Sequence, residues 1–276
     1  MTVWSLCMFA FELDILEIRL ATLDAVVDRH VIVEAPLTHA GTEKPLLFWE
    51  NRDRFAKWAQ KIDHLVDHAP PGGHWAPRDA AAFAESDSDH WRREHHQRDA
   101  LTVAVADADD RDLILISDCD EIPDPARAWR NAIEIADAGV IGCPLLAMHV
   151  GRLRWRWPLA TPGTRTRFLS GRTFRRFGTV ERVVDAPNVI FGQDGNPAAG
   201  AGWHLAYMGG VTAIQQKLAS FAHQELNRPP FNTPEHISHC LETGEDLFMR
   251  PDRVCESCST GAYPPHALAE HLRYLW

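Results

Sequence analysis

An α/β fold with a mostly parallel central sheet is what this sequence predicts, and three observations predict it. Short apolar runs alternate with helix-length segments through the first 125 residues. The apolar run at 113–116 is followed at once by Asp118, Asp120, Glu121 and Asp124, as when a buried strand delivers its carboxyl end to a polar crevice. Beyond Gly139, polar and apolar residues alternate, which suits antiparallel strands with one wet face.

The elements follow in order. VWSLCMF (3–9) reads as a strand, and ELDILEIRLATL (12–23) as a helix with Leu13, Leu16, Leu20 and Leu23 on one stripe. Glu12 and Asp14 sit in its first turn, where the helix dipole favours acids. RHVIVEA (29–35) is a second strand closed by Pro36; WENRDRFAKWAQ (49–60) is a charged helix, and KIDHLVDH (61–68) carries a short strand. HAPPGGHWAP (68–77) is a Pro/Gly loop, because alternating elements resume beyond it. A long polar helix is expected from Asp87 to Ala108, then the strand RDLILIS (111–117). Asp124 followed by Pro125 is an N-cap and first-turn proline for a helix over 126–137. In the second half, 139–157 and 164–178 read as strands, GWHLAYMGG (202–210) as another, and 211–225 as a helix. With no repeat and no composition break, one domain is expected over 1–276.

Composition bounds the function. A 276-residue chain that is 45% hydrophobic can bury a large core, and its net charge of −10 argues against broad attraction to nucleic acid or anionic membrane. The basic stretch from Arg152 to Arg182 is the local exception: alternation in RLRWRW aims Arg152, Arg154 and Arg156 at one face of a strand. No apolar run is long enough for a membrane-spanning helix, and the N-terminus meets acids without a basic leader, so the expected compartment is a bacterial cytoplasm. Six scattered cysteines do not make a disulfide scaffold, and Cys255 and Cys258 form a lone C-x-x-C without a second pair.

The acidic cluster carries the chemistry. In an extended segment Asp118 and Asp120 would leave one face roughly 6.6 Å apart. At an effective dielectric near 20 their repulsion is of the order of 2.5 kcal/mol, more than the roughly 1 kcal/mol that a helix cap returns. A positive partner is therefore expected, and hard carboxylate oxygens suit Mg²⁺ or Mn²⁺ with a diphosphate completing the shell.

FELDILEIRL, DAVVDRHVIVEA, HAPPGGHW, LILISDCDEIP and GWH before a helix occur in the order seen in family 17 glycosyltransferases, which the chain resembles from Trp4 to its C-terminal YPPHALAEHLRYL. The resemblance implies a GT-A-like fold, with a nucleotide-binding half over 1–125 and an acceptor-binding half over 126–276. It implies inverting transfer from a UDP-sugar donor, UDP-N-acetylglucosamine by analogy, to a carbohydrate or glycoconjugate acceptor, with Mn²⁺ or Mg²⁺.

Asp118 and Asp120 match the metal motif. His204 reads on its own as a core histidine, and the resemblance turns it toward the metal or diphosphate, with His223 second to it. Arg98 suits a phosphate or a nearby carboxylate, and Glu34 lies at the end of the second strand, where a nucleoside would sit. Asp14, with Glu17 and Arg19, matches the family block as well, and a structural network explains that trio equally. Three carboxylates compete to take the acceptor's proton: Asp246, Glu225 and Glu121. A metal-dependent nucleotidyltransferase or phosphodiesterase would use the same acidic pair, and a nucleic-acid-binding module would use the arginine strand. The oligomeric state is not legible.

Overall fold

The computed structural model describes residues 1–68, 88–163, 165–192, 200–251 and 253–276. The Pro/Gly loop expected at 68–77 and the expected helix start at Asp87 lie almost wholly outside these residues.

The first half alternates strand and helix: β1 (Val3–Phe9), α1 (Leu13–Leu23), β2 (Arg29–Glu34), α2 (Leu47–Glu50), a 3-10 helix (Arg52–Lys61), β3 (Ile62–Val66), α3 (Asp89–Ala104) and β4 (Leu113–Ile116). β3, β2, β1 and β4 lie side by side in that order, all parallel. β1 shows why the sequence permits this, since its side chains alternate between two buried faces. Trp4 and Leu6 pack with Leu101 and Val105 of the α3 side. Cys7 and Phe9 pack with Leu16 and Leu20 of α1 and with Phe55 and Trp58 of the 3-10 helix. Burying each of these large side chains is worth about 1.5–3 kcal/mol, so sandwiching β1 between layers fixes its direction and its carboxyl end.

The second half supplies β5 (Glu121–Pro123), α4 (Pro125–Asp137), β6 (Gly142–Val150), β7 (Trp155–Arg156), β8 (Thr161–Pro162), β9 (Arg167–Ser170), α5 (Gly171–Phe177), α6 (Val180–Asp185), β10 (Val189–Phe191), β11 (Gly202–Ala206), α7 (Gly210–Ser220), α8 (Pro234–Thr243) and β12 (Glu256–Ser257). The sheet continues from β4 through β9, β6 and β7 to β12. It is mixed, not mostly parallel: β9 runs antiparallel to β4 and β6, and β7 and β8 run antiparallel to β6. The physical reason is connection length. A parallel neighbour needs a crossover of about a dozen residues or more, and the turn between β6 and β7 is far shorter.

Two further expectations change. Within the stretch expected as strand at 164–178, β9 covers only Arg167–Ser170, and the Ser170 hydroxyl then accepts from Thr173 N at 3.3 Å and caps α5. RLRWRW is no continuous strand either: the chain turns at Gly151, where φ is 71°. Arg152 donates to Tyr274 O, Arg154 points at the carbonyls of Leu241 and Glu242, and Arg156 pairs with Glu256. The three guanidiniums serve three separate places, so the single basic face of a nucleic-acid-binding strand is not formed. Asp124 does cap α4, accepting from Ala126 N at 3.0 Å. Among the described residues no helix is long and apolar enough to cross a membrane, and the six cysteines are free.

Candidate active site

β4 ends at Ile116, and the chain does not continue extended through the acids. It turns, with Glu121 N donating to Asp118 O at 3.1 Å, and re-enters the sheet as β5 against β11, pairing Glu121 with His204. The turn is held from below by Arg19 of α1, only 1% exposed, whose Nη1 donates to the carbonyls of Asp118 (3.1 Å) and Glu121 (3.0 Å). Leu205 N donates to Asp120 O at 2.8 Å from β11. A loop with the carbonyls of Asp118, Asp120 and Glu121 engaged in this way holds its side chains in place, which is what an electrostatic site needs.

Because the segment turns, Asp118 and Asp120 do not share a strand face, and each meets a cation from elsewhere. Arg98 Nη1 of α3 donates to Asp118 Oδ1 at 2.6 Å, while its other nitrogens lie 2.9 Å from Glu94 and 3.2 Å from Glu181. Lys217 Nζ of α7 donates to Asp120 Oδ2 at 2.8 Å and stands 3.8 Å from Glu12. Burial pushes the Asp118 carboxyl up, but the Arg98 charge and hydrogen bond, with Arg165 and His204 adding to them, together hold the acid below the usual carboxylate range. Burial likewise opposes the Lys217 charge, and Asp120 and Glu12 overcome it, raising the ammonium above its ordinary range. The positive charge that the sequence demanded is thus supplied in part by the chain itself, across contacts that the local sequence does not reveal.

The turn opens on a cleft of ≈ 730 Å³, within the range of about 300–1,000 Å³ usual for small-molecule sites. Of the residues singled out from the sequence, Arg98, Asp118, Asp120, His204, His223 and Asp246 line it. The other candidates stand elsewhere. Glu34 is fully buried, accepts from Phe48 N and pairs with Lys44 and His64 at 3.3 Å each, so it reaches the cleft only through Lys44, which lines it. Asp14 is bound by Arg54 and Tyr274, with Glu17 on the same arginine, away from the cleft lining. Glu121 is 0% exposed, and its Oε2 accepts from Arg165 N and from Thr166 Oγ1 at 2.5 Å. Glu225 also stands outside the lining, 2.7 Å from His223 Nδ1.

Asp246 faces the cleft heavily engaged. Oδ2 accepts from the backbone N–H groups of Phe248 and Arg250 and from Arg250 Nε, and Oδ1 from Arg250 Nη2 at 2.6 Å. Burial alone would raise its pKa, but these donors bring it below the ordinary value. His204 lies between two acids, Nε2 3.7 Å from Asp120 and Nδ1 3.8 Å from Glu121.

For a divalent cation the donor set is narrow. Among the described residues no group of three or more His, Cys, Asp or Glu side chains is arranged to hold a metal. Asp118 nevertheless fits a hard cation: its side chain is 32% exposed at the cleft and Arg98 occupies only Oδ1 among its bonds. Mg²⁺ commonly takes one or two carboxylates and fills its shell with phosphate oxygens and water.

Residues 1–131, which carry β1 to β4, Arg19, Arg98 and the acidic turn, match the model of glycosyltransferase family 17. The chain resembles that family through the half that builds the turn. Over 195 residues it is 28% identical to the β-1,4-mannosyl-glycoprotein 4-β-N-acetylglucosaminyltransferases of Homo sapiens and Rattus norvegicus, a span covering 67% of this chain and 30% of each relative. The family and both relatives are named as glycosyltransferases. Among solved structures, the mannose-6-phosphate isomerase of Helicobacter pylori aligns with 64% of this chain and 74% of its own, at 10% identity and a TM-score of 0.37, too low to carry an argument.

Proposed function

We propose that the chain is a metal-dependent, inverting glycosyltransferase of GT-A-like architecture. It would take a sugar from a nucleoside diphosphate, with UDP-N-acetylglucosamine as first choice, and move it to a carbohydrate hydroxyl. One observation carries this reading: the acidic turn after β4 is pinned by Arg19 and β11 and opens on a cleft large enough for a nucleotide sugar. The same turn lies within the segment that matches the family.

The roles follow from charge. Asp118 is the residue to hold Mg²⁺ or Mn²⁺, and a bound ion would neutralise the diphosphate as it departs. Asp120 would be a second carboxylate for such an ion, and Lys217, which it holds at the cleft, a cation for the phosphates. Arg98 is locked among Glu94, Asp118 and Glu181, so its role is to orient Asp118. Lys44, over the Phe11 ring and backed by Glu34, is a further cation at the cleft.

The test is a panel of nucleotide sugars with Mn²⁺ or Mg²⁺, read as thermal stabilisation and as nucleotide released. UDP-sugars should stabilise the protein only with metal, and Asp118→Asn should abolish both signals. Equal stabilisation in the presence of chelator, or full turnover by the Asp118→Asn/Asp120→Asn double variant, would refute the reading.

A further inference from the structure

Inverting transfer leaves one proton to place, that of the attacking hydroxyl. Five acids line the cleft, and each is already engaged. Asp118 is held by Arg98 and Asp120 by Lys217. Asp246 is held by Arg250 and two backbone N–H groups, Glu94 by Arg98, and Glu12 by Phe11 N with Lys217 at 3.8 Å. A carboxylate in a strong ion pair is a poor proton acceptor, because protonation forfeits the pair.

Resting on the glycosyltransferase reading, we infer that His223 is the general base, with Glu225 as its positioning residue. Three observations carry this. His223 lines the cleft whereas Glu225 does not, so the acid stands behind the ring. Its Nδ1 lies 2.7 Å from Glu225 Oε1. An ionised carboxylate only accepts hydrogen bonds, so Nδ1 carries the hydrogen, and in the neutral ring the lone pair then belongs to Nε2. Finally, the ring is braced by aromatic neighbours: Trp91 of α3 meets it edge-on at 4.6 Å and 86°, and Phe221 lies 5.6 Å away. Nucleophile-side base oriented by a third group is the arrangement that activates a hydroxyl.

The step balances as a single displacement. The acceptor oxygen forms its bond to the anomeric carbon as the bond from that carbon to the β-phosphate oxygen breaks, its electron pair leaving with the diphosphate. The hydroxyl proton passes to His223 Nε2, the imidazolium is stabilised by Glu225, and the proton returns to solvent. The other cleft histidines are placed differently, His204 between Asp120 and Glu121 and His39 on Gln97 at 2.8 Å.

Hydrolysis of UDP-N-acetylglucosamine needs the same base with water as acceptor, so the probe is this donor with Mn²⁺, read as UDP released. His223→Ala should lower kcat by about 10²–10⁴-fold with donor KM within about twofold, and added imidazole should restore part of the rate. Glu225→Gln should lower kcat by about tenfold without changing donor KM, and Glu225→Asp should recover some of it. Full turnover by His223→Ala overturns the inference alone, as does a loss that imidazole does not relieve while donor-induced thermal stabilisation is intact. A wild-type protein that neither binds nor turns over any UDP-sugar overturns the glycosyltransferase reading, and this inference with it.

Discussion

Arg19, only 1% exposed, spends one guanidinium nitrogen on the carbonyls of Asp118 and Glu121 and another on Ser5 Oγ at 2.9 Å. Replacing it with methionine keeps the volume but takes the arginine donor from Glu121 O and Ser5 Oγ and leaves Asp118 O only its bond from Glu121 N. Each stranded buried group costs about 1–3 kcal/mol, so Arg19→Met should lower stability by about 3 kcal/mol in urea unfolding and weaken UDP-sugar binding. Unchanged donor affinity in a folded variant would remove Arg19 from the site's support. At this scale legibility was uneven for a definite reason. Asp118 and Asp120 announce themselves because like charges crowd a strand end, and Arg98 sits on the preceding helix. Lys217 reaches Asp120 from 97 positions away on a helix whose own pattern singles out nothing. The sequence asked for a metal ion and offered Arg98 to a phosphate or a nearby carboxylate; it could not show Lys217, because a cation supplied by tertiary folding leaves no local mark.

β5 and β11 form the element that turns a loop of acids into a site. Their antiparallel pairing runs from Gly202 opposite Pro123 to His204 opposite Glu121, so it sets the depth at which the acidic turn stops. The approach is close: a Cβ at Gly202 would meet Ile122 O at 2.4 Å and Pro123 Cα at 2.6 Å, both backbone atoms of a buried pair. Gly202→Ala must therefore push the strands apart, at about 1–3 kcal/mol by analogy with overpacked cores. Faster amide exchange at His204 and Leu205, with weaker donor binding, is the expected result; wild-type exchange there would mean that the strands yield without moving the turn. The short apolar runs of β1, β2 and β4 were legible because both faces of each strand are buried. The segment after Ser170 was not, because the alternation of Arg165 and Arg167 before it invites the strand to continue until the serine cap is recognised. RLRWRW misled in the same way, since Gly151 breaks the strand before its alternation can act.

Across the whole molecule, two buried histidines, one in each half of the sheet, tie stability to pH. His30 of β2 and His149 of β6 are both nearly inaccessible. Burial lowers the His30 pKa from 6.5 to about 3, with the Arg19 and Lys61 charges adding to the effect, and burial lowers that of His149 from 6.5 to about 4. His149 spends Nδ1 on Leu153 O at 2.5 Å, a bond that favours the proton but does not offset burial. Both rings are neutral in the fold and take a proton on unfolding once the pH drops below 6.5. The unfolded chain then binds more protons than the native one, so stability is full above that value and falls as pH falls toward the folded values. The depressed acids Asp118, Glu34 and Asp246 act in the same direction in a lower window, below their ordinary values of 3.8 to 4.5. Between about pH 7 and about pH 5 the histidines therefore act alone, and the urea midpoint should decline across that interval. In a His30→Gln/His149→Gln variant the decline should flatten whatever its absolute stability, because the slope counts protons and not contacts. An identical slope in the two proteins would mean that neither ring is held neutral by the fold.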